Sequence, residues 1–151
     1  MTAQITTNQE VLTPASRPIA RLLPKVARIL MGLSFLAAGL FGLAIVTGLI
    51  ATPQPPTPQP EAAASFFGAV LKTGYLLPFI KLTETTVGIL LLTNRFVPLA
   101  LAIVAPVILN ILAYHIFLSA SPVGFIFIFI ALEIYLAWTY RDAFRPMLRM
   151  R

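Results

Sequence analysis

Apolar positions in this chain fall into four long runs, at about 26–50, 75–93, 96–118 and 123–140, separated by short polar or proline-bearing breaks. Runs of roughly 20 residues, at about 1.5 Å rise each, match the hydrocarbon layer of a bilayer, so each is predicted to be a membrane-spanning helix. The first break, ATPQPPTPQPE at 51–61, holds Pro53, Pro55, Pro56, Pro58 and Pro60 and cannot be helical. It reads as an exposed loop of extended polyproline conformation, either a stiff spacer or a docking strand for a partner. The stretch 62–74, AAASFFGAVLKTG, places Phe66, Phe67 and Val70 at helical intervals but is too short to cross. It is predicted to be an interfacial or re-entrant helix over the outer mouth, with Gly74 allowing the turn and Pro78 a kink into the second span. Asn94-Arg95 is a tight inner turn, Pro106 is placed to bend the third span, and 119–122 is a short outer turn. The fold expected is an all-α membrane protein: a bundle of four transmembrane helices with a short outer interfacial helix before the second span.

Composition agrees, with 151 residues, 58% hydrophobic and 11% charged, and a mean hydropathy of +0.89. The net charge of +6 would fit nucleic acid, but the positions of the charges give it another meaning. Of eleven basic residues only Lys72 and Lys81 fall outside the two flanks and the Asn94-Arg95 turn. With four crossings all the others lie on one side, which places both termini in the cytoplasm. Arg17, Arg21, Lys25 and Arg28 recur at spacings of four, four and three and form one basic helical face. Together with Arg145 and Arg149 of the C-terminal tail they are expected to contact inner-leaflet lipid, with Pro24 bending the first segment into the membrane. Residues 1–15 read as a disordered tail, and 16–151 as one membrane domain. The first run is too long, and begins too late, for a cleaved signal peptide. Without cysteine there is no disulfide, iron–sulfur cluster or thiolate metal site, and one histidine cannot make a two-histidine haem site. No metal-ligand pair stands at helical spacing.

Candidate chemistry lies in the polar residues inside the runs. Lys81 and Glu84 sit one turn apart in the second span, about 7 and 12 Å below its outer boundary by helical rise. His115 and Asn110 in the third lie at about 5 and 12 Å, and Glu133 in the fourth at about 16 Å. All five occupy the outer half or the centre, which predicts a polar pocket opening outward. Charges at such depth are costly and usually paired or functional. The Lys81–Glu84 pair reads either as a brace for the capping helix or as a proton-exchanging, ligand-binding pair. Glu133 is either interhelical glue or a proton relay, and Asn110 is read as glue. His115 is read as a belt residue or a proton carrier. Asn110 and His115 stand about 140° apart on a regular helix and are not expected to share one pocket. In the first span Ser34, Ala38 and Gly42, with Gly32 and Gly39 nearby, form a small-residue stripe suited to close helix packing.

The segment TGYLLPFIKLTETTVGILLLTNRFVPLALAIVAPVILNILAYHIFL and the later ALEIYLAWTYRDAFRPML resemble the DoxX family of small bacterial membrane proteins. RILMGLSFLAAG resembles that family's first span, through Arg28, Gly32, Phe35 and Gly39. The resemblance, over roughly 28–148, implies a four-helix bundle of the bacterial inner membrane. It also implies a link to quinol oxidation, thiosulfate:quinone oxidoreduction or other membrane oxidoreductase assemblies. Lys81, Glu84, Asn110, His115 and Glu133 match the family's recurring polar positions. The chain departs after Gly39, where Leu40-Phe41-Gly42 replaces a polar or basic residue found in many members. Two functions follow: an accessory subunit of a redox-linked membrane complex, or a quinone- or small-molecule-binding oxidoreductase subunit using Lys81, Glu84 and His115 for proton exchange. Quinone is the cofactor the resemblance allows, and lipid and other membrane subunits are the partners expected, with no nucleic acid. A transporter fits less well, since no polar path reaches the inner face.

Overall fold

The structure, a computed structural model, describes residues 18–53, 58–119 and 124–144, with side chains from Leu22 onward. These residues form six helices and no strand: α1 (Pro18–Val46), α2 (Glu61–Lys72), α3 (Leu76–Leu92), α4 (Val97–Phe117), α5 (Gly124–Thr139) and α6 (Arg141–Phe144). The expected tail at 1–15, the centre of the proline loop, Arg17, Arg145 and Arg149 lie outside the described residues, as does the side chain of Arg21. Within α1 and α4 there are stretches long and apolar enough to cross a membrane, and α2 with α3 passes the same test as a pair bent by 89°. The 16 residues of α5 are apolar but rise only about 24 Å, less than a hydrocarbon layer of about 30 Å. Two or three candidate spans are therefore seen where four were expected.

Local chemistry sets the boundaries. The basic segment and the first span are one helix, because Pro24 is accommodated inside α1 instead of dividing it. α1 stops at Val46, four residues before the predicted limit, since Gly48 adopts φ 74° and Ile50 N–H returns to the Ala44 carbonyl at 3.1 Å. At the α2–α3 corner the Thr73 hydroxyl donates to the Val70 carbonyl at 2.7 Å and accepts from Leu76 N–H at 3.1 Å. One side chain thus closes α2 and opens α3, while Gly74 supplies the turn at φ 72°. A Gly74→Ala variant forces a Cβ into that left-handed conformation and should cost about 1 kcal/mol, recovered largely by Gly74→Asn. Thermal unfolding of the two variants in detergent checks this.

α3 ends in a paired cap. Asn94, at φ 56°, donates to the Leu91 carbonyl at 3.3 Å, and Arg95 N–H reaches Leu90 at 3.1 Å. The chain then reverses into α4.

The helices run alternately up and down. Lys81 lies against Gly42, Thr85 against Gly39, Leu36 against Gly88 and Leu92 against Gly32, so α1 and α3 are antiparallel and touch through glycine over most of their length. α4 packs on α3, and α5 on both α4 and α1. The start of α1, the α3–α4 turn and the end of α5 share one end, which carries Lys25, Arg28, Arg95 and Arg141; α2 belongs to the other. The closed core lies toward the basic end, where Met31, Leu91, Leu101, Val104 and Leu136 are almost wholly buried. Toward the α2 end, beyond Phe35 and Ile108, this core gives way to a cavity.

Candidate functional site

Lys81 and Glu84 share one face of α3, three residues apart, and their ammonium and carboxylate meet at 2.8 Å (Nζ to Oε2). Glu84 is 4% exposed, one of two buried polar or charged residues among those described, and Lys81 is half-buried. Two features fix the lysine. Its aliphatic arm runs over Gly42 of α1, so close that a Cβ there would overlap its Cδ. Its carbonyl accepts the Thr85 hydroxyl at 2.8 Å, and that hydroxyl in turn lies over Gly39. The pair therefore sits in the α1–α3 seam.

Glu84 also forms part of the wall of a cavity of about 240 Å³ between four helices. α1 contributes Ser34, Phe35 and Ala38, and α4 contributes Ile108 and Ile111. α5 closes it with Phe125, Ile126 and Phe129. Phe129 stands edge-on to Phe35 with ring centroids 5.9 Å apart. Ser34 donates its hydroxyl to the Leu30 carbonyl at 2.9 Å, within its own helix. The cavity is thus apolar except for one carboxylate and one serine oxygen.

This corrects the expected polar pocket. Of the five polar residues only Glu84 lines the cavity, with Lys81 attached to it. Asn110 is exposed and belongs to a separate groove of about 220 Å³ beside Phe66, Tyr114 and Phe117. His115 Nδ1 donates to the Ile111 carbonyl at 2.8 Å. Its ring meets Tyr114 and Phe125 edge-on at 5.3 and 5.4 Å, extending an aromatic row that begins at Phe66 of α2. Glu133 lies one turn past Phe129, partly buried, with Oε2 enclosed and no hydrogen-bond donor among the described residues. Depth alone grouped these residues; their azimuths separate them.

The small-residue stripe is corrected likewise. Ser34 and Ala38 are exposed and face the cavity, and of that stripe only Gly42 is buried in the seam. The close face of α1 is Gly32, Leu36, Gly39 and Gly42, with Gly88 of α3 against Leu36.

Sequence reasoning also misplaced Arg28. It is 9% exposed, buried against the end of α3. Its guanidinium donates to the carbonyl of Leu91, which Asn94 N–H also reaches, and at 3.3 Å to that of Leu92, both in the last turn of α3. The available signal was register: Arg28 stands four, seven and eleven residues before Gly32, Phe35 and Gly39, on the buried face of α1. Lys25 is exposed.

Among the described residues no three His, Cys, Asp or Glu side chains are grouped to hold a metal ion. No family model, curated protein or solved structure matches this chain.

Proposed function

We propose that this chain is a DoxX-like, four-span protein of the bacterial inner membrane that serves as an accessory subunit of a redox-linked assembly and holds a lipophilic small molecule beside Glu84. The observation that carries this reading is a carboxylate, kept in place by Lys81, in the wall of an otherwise apolar cavity open between the helices. A packing ion pair needs no cavity, and a packing defect needs no charge. Apolar pockets with a few placed polar groups are the usual form of a small-molecule site.

The arrangement of charges supports the topology. Basic residues collect at one end of the bundle, as expected for the cytoplasmic side. At that end Trp138 is exposed with the Arg141 guanidinium 5.1 Å from its ring centre, a pairing suited to the headgroup zone. α2, turned by 89° from α3, then lies along the outer surface, and α5 completes the fourth crossing with local thinning of the bilayer. The alternative, an oxidoreductase subunit in which Lys81, Glu84 and His115 exchange protons, has less support, since His115 stands behind Phe125 and not on the cavity wall.

The test is to purify the protein in mild detergent and identify what accompanies it. A lipophilic small molecule and membrane redox subunits should co-purify. Ala38→Phe, at an exposed position facing the cavity, should fill the space, leave unfolding temperature within a few degrees and lose the small molecule. Retention of that molecule by Ala38→Phe would place it elsewhere, and a preparation with neither molecule nor partners would sink the reading.

A further inference from the structure

The cavity beside Glu84 has a chemical bias that its shape alone does not express. Its wall offers two kinds of polar atom, and both accept hydrogen bonds. Glu84 Oε2 is engaged by Lys81, while Oε1 has no donor among the described residues. The Ser34 hydroxyl donates its proton to Leu30, so a residue that lines the cavity has only oxygen lone pairs left to offer it. The surrounding groups are Phe, Ile and Ala side chains, which donate nothing. The ammonium of Lys81 is bound to Oε2 and its arm is held in the seam over Gly42, so it lies off the cavity wall.

Charge narrows the choice further. Lys81 and Glu84 together are neutral. A second cation would enter a largely apolar cavity with no net charge to receive it, and an anion would meet the carboxylate. The volume, about 240 Å³, is smaller than most sites for drug-sized ligands and admits one ring with a short substituent. Phe35 and Phe129, edge to face at 5.9 Å, line it and offer ring surfaces for such a body.

We infer that the cavity selects a neutral, single-ring lipophile carrying a hydroxyl or N–H donor, which it seats on Glu84 Oε1 and the Ser34 oxygen, and rejects bodies of the same shape that can only accept. The inference rests on the ligand-holding reading above and adds the polarity of the ligand. A site built to take a hydrogen bond discriminates strongly against an analogue without the proton.

A matched pair of probes decides it: 4-propylphenol and 4-propylanisole, which differ by one methyl group on oxygen. Isothermal titration into the protein in nanodiscs, with empty nanodiscs subtracted, should show the phenol binding saturably, one per chain. The anisole should bind at least roughly tenfold more weakly. Glu84→Gln puts an amide donor in the wall and should narrow this ratio toward one. Ser34→Ala, at an exposed position whose only described bond lies within its own helix, should narrow it in a protein that folds normally. Equal affinities for the two probes would overturn the donor inference and leave the ligand-holding reading intact. An unchanged ratio in Ser34→Ala and Glu84→Gln would also overturn it, because the proton would then be read elsewhere. No binding of either probe would overturn both.

Discussion

Gly88→Ala should lower the stability of the bundle by about 3 kcal/mol, the upper part of the range for overpacking a closed interface. A Cβ on Gly88 would stand 2.5 Å from the backbone nitrogen of Leu36 and 2.7 Å from its Cα. Backbone cannot rotate away as a side chain can, so α1 and α3 must separate along their length. Gly39→Ala should behave similarly, since it meets Thr85 N at 2.6 Å and the Lys81 carbonyl at 2.9 Å. Gly42→Ala meets first the flexible arm of Lys81 and should cost less stability, while moving the ammonium away from Glu84. Gly68, in α2, has open space around it, and there alanine should stabilise slightly through helix propensity, by up to about 1 kcal/mol. Thermal unfolding of the four variants in one detergent ranks them. If Gly88→Ala and Gly68→Ala unfold together, the close approach of α1 and α3 is wrong. Small residues matter here because helices in lipid gain little from burying apolar surface and associate through close packing instead.

Arg28→Met should cost about 3 kcal/mol, from lost hydrogen bonds to a buried cation and lost charge at a helix terminus. The last carbonyls of α3 point at Arg28, and a guanidinium can satisfy two of them at once. Asn94 and Arg95 already cap Leu91 and Leu90 through their backbone N–H groups, so Arg28 completes an end that would otherwise expose acceptors inside the protein. Both bonds leave one guanidinium nitrogen, so Arg28→Lys keeps the charge and a multi-proton donor on a shorter arm and should recover part of the loss. Protease sensitivity of the α3–α4 turn, with unfolding temperature, separates the possibilities. If Arg28 were one more lipid-facing cation, all three proteins would unfold alike in detergent and the turn would stay equally protected.

What the chain reveals without its structure follows from how local each feature is. Runs of apolar residues predict helices because length and hydropathy are properties of one segment, and α2, α3, α4 and α5 begin and end within one residue or two of the predicted limits. The corner before α3 and the turn at Asn94 were legible for the same reason, being made by Gly74 and Asn94 themselves. The Lys81–Glu84 pair is local too: a spacing of three on one helix brings the two groups together wherever that helix packs.

Azimuth was not legible in this way. α4 and α5 are apolar on all sides, so no polar face records which neighbour each side meets. Counting rise put Glu84, Asn110, His115 and Glu133 near one another in depth, but only the packing of four helices turned Glu84 into the cavity and left the others outside it. The same packing reassigned Ser34 and Ala38 from the seam to the cavity wall, and Arg28 from the lipid surface to the end of α3. By itself the sequence determined an all-helical chain with membrane-length apolar segments and a charged pair on the third helix. Which residues surround that pair was decided by tertiary structure alone, because contacts between helices depend on rotations about their axes, and apolar sequence leaves those rotations unspecified.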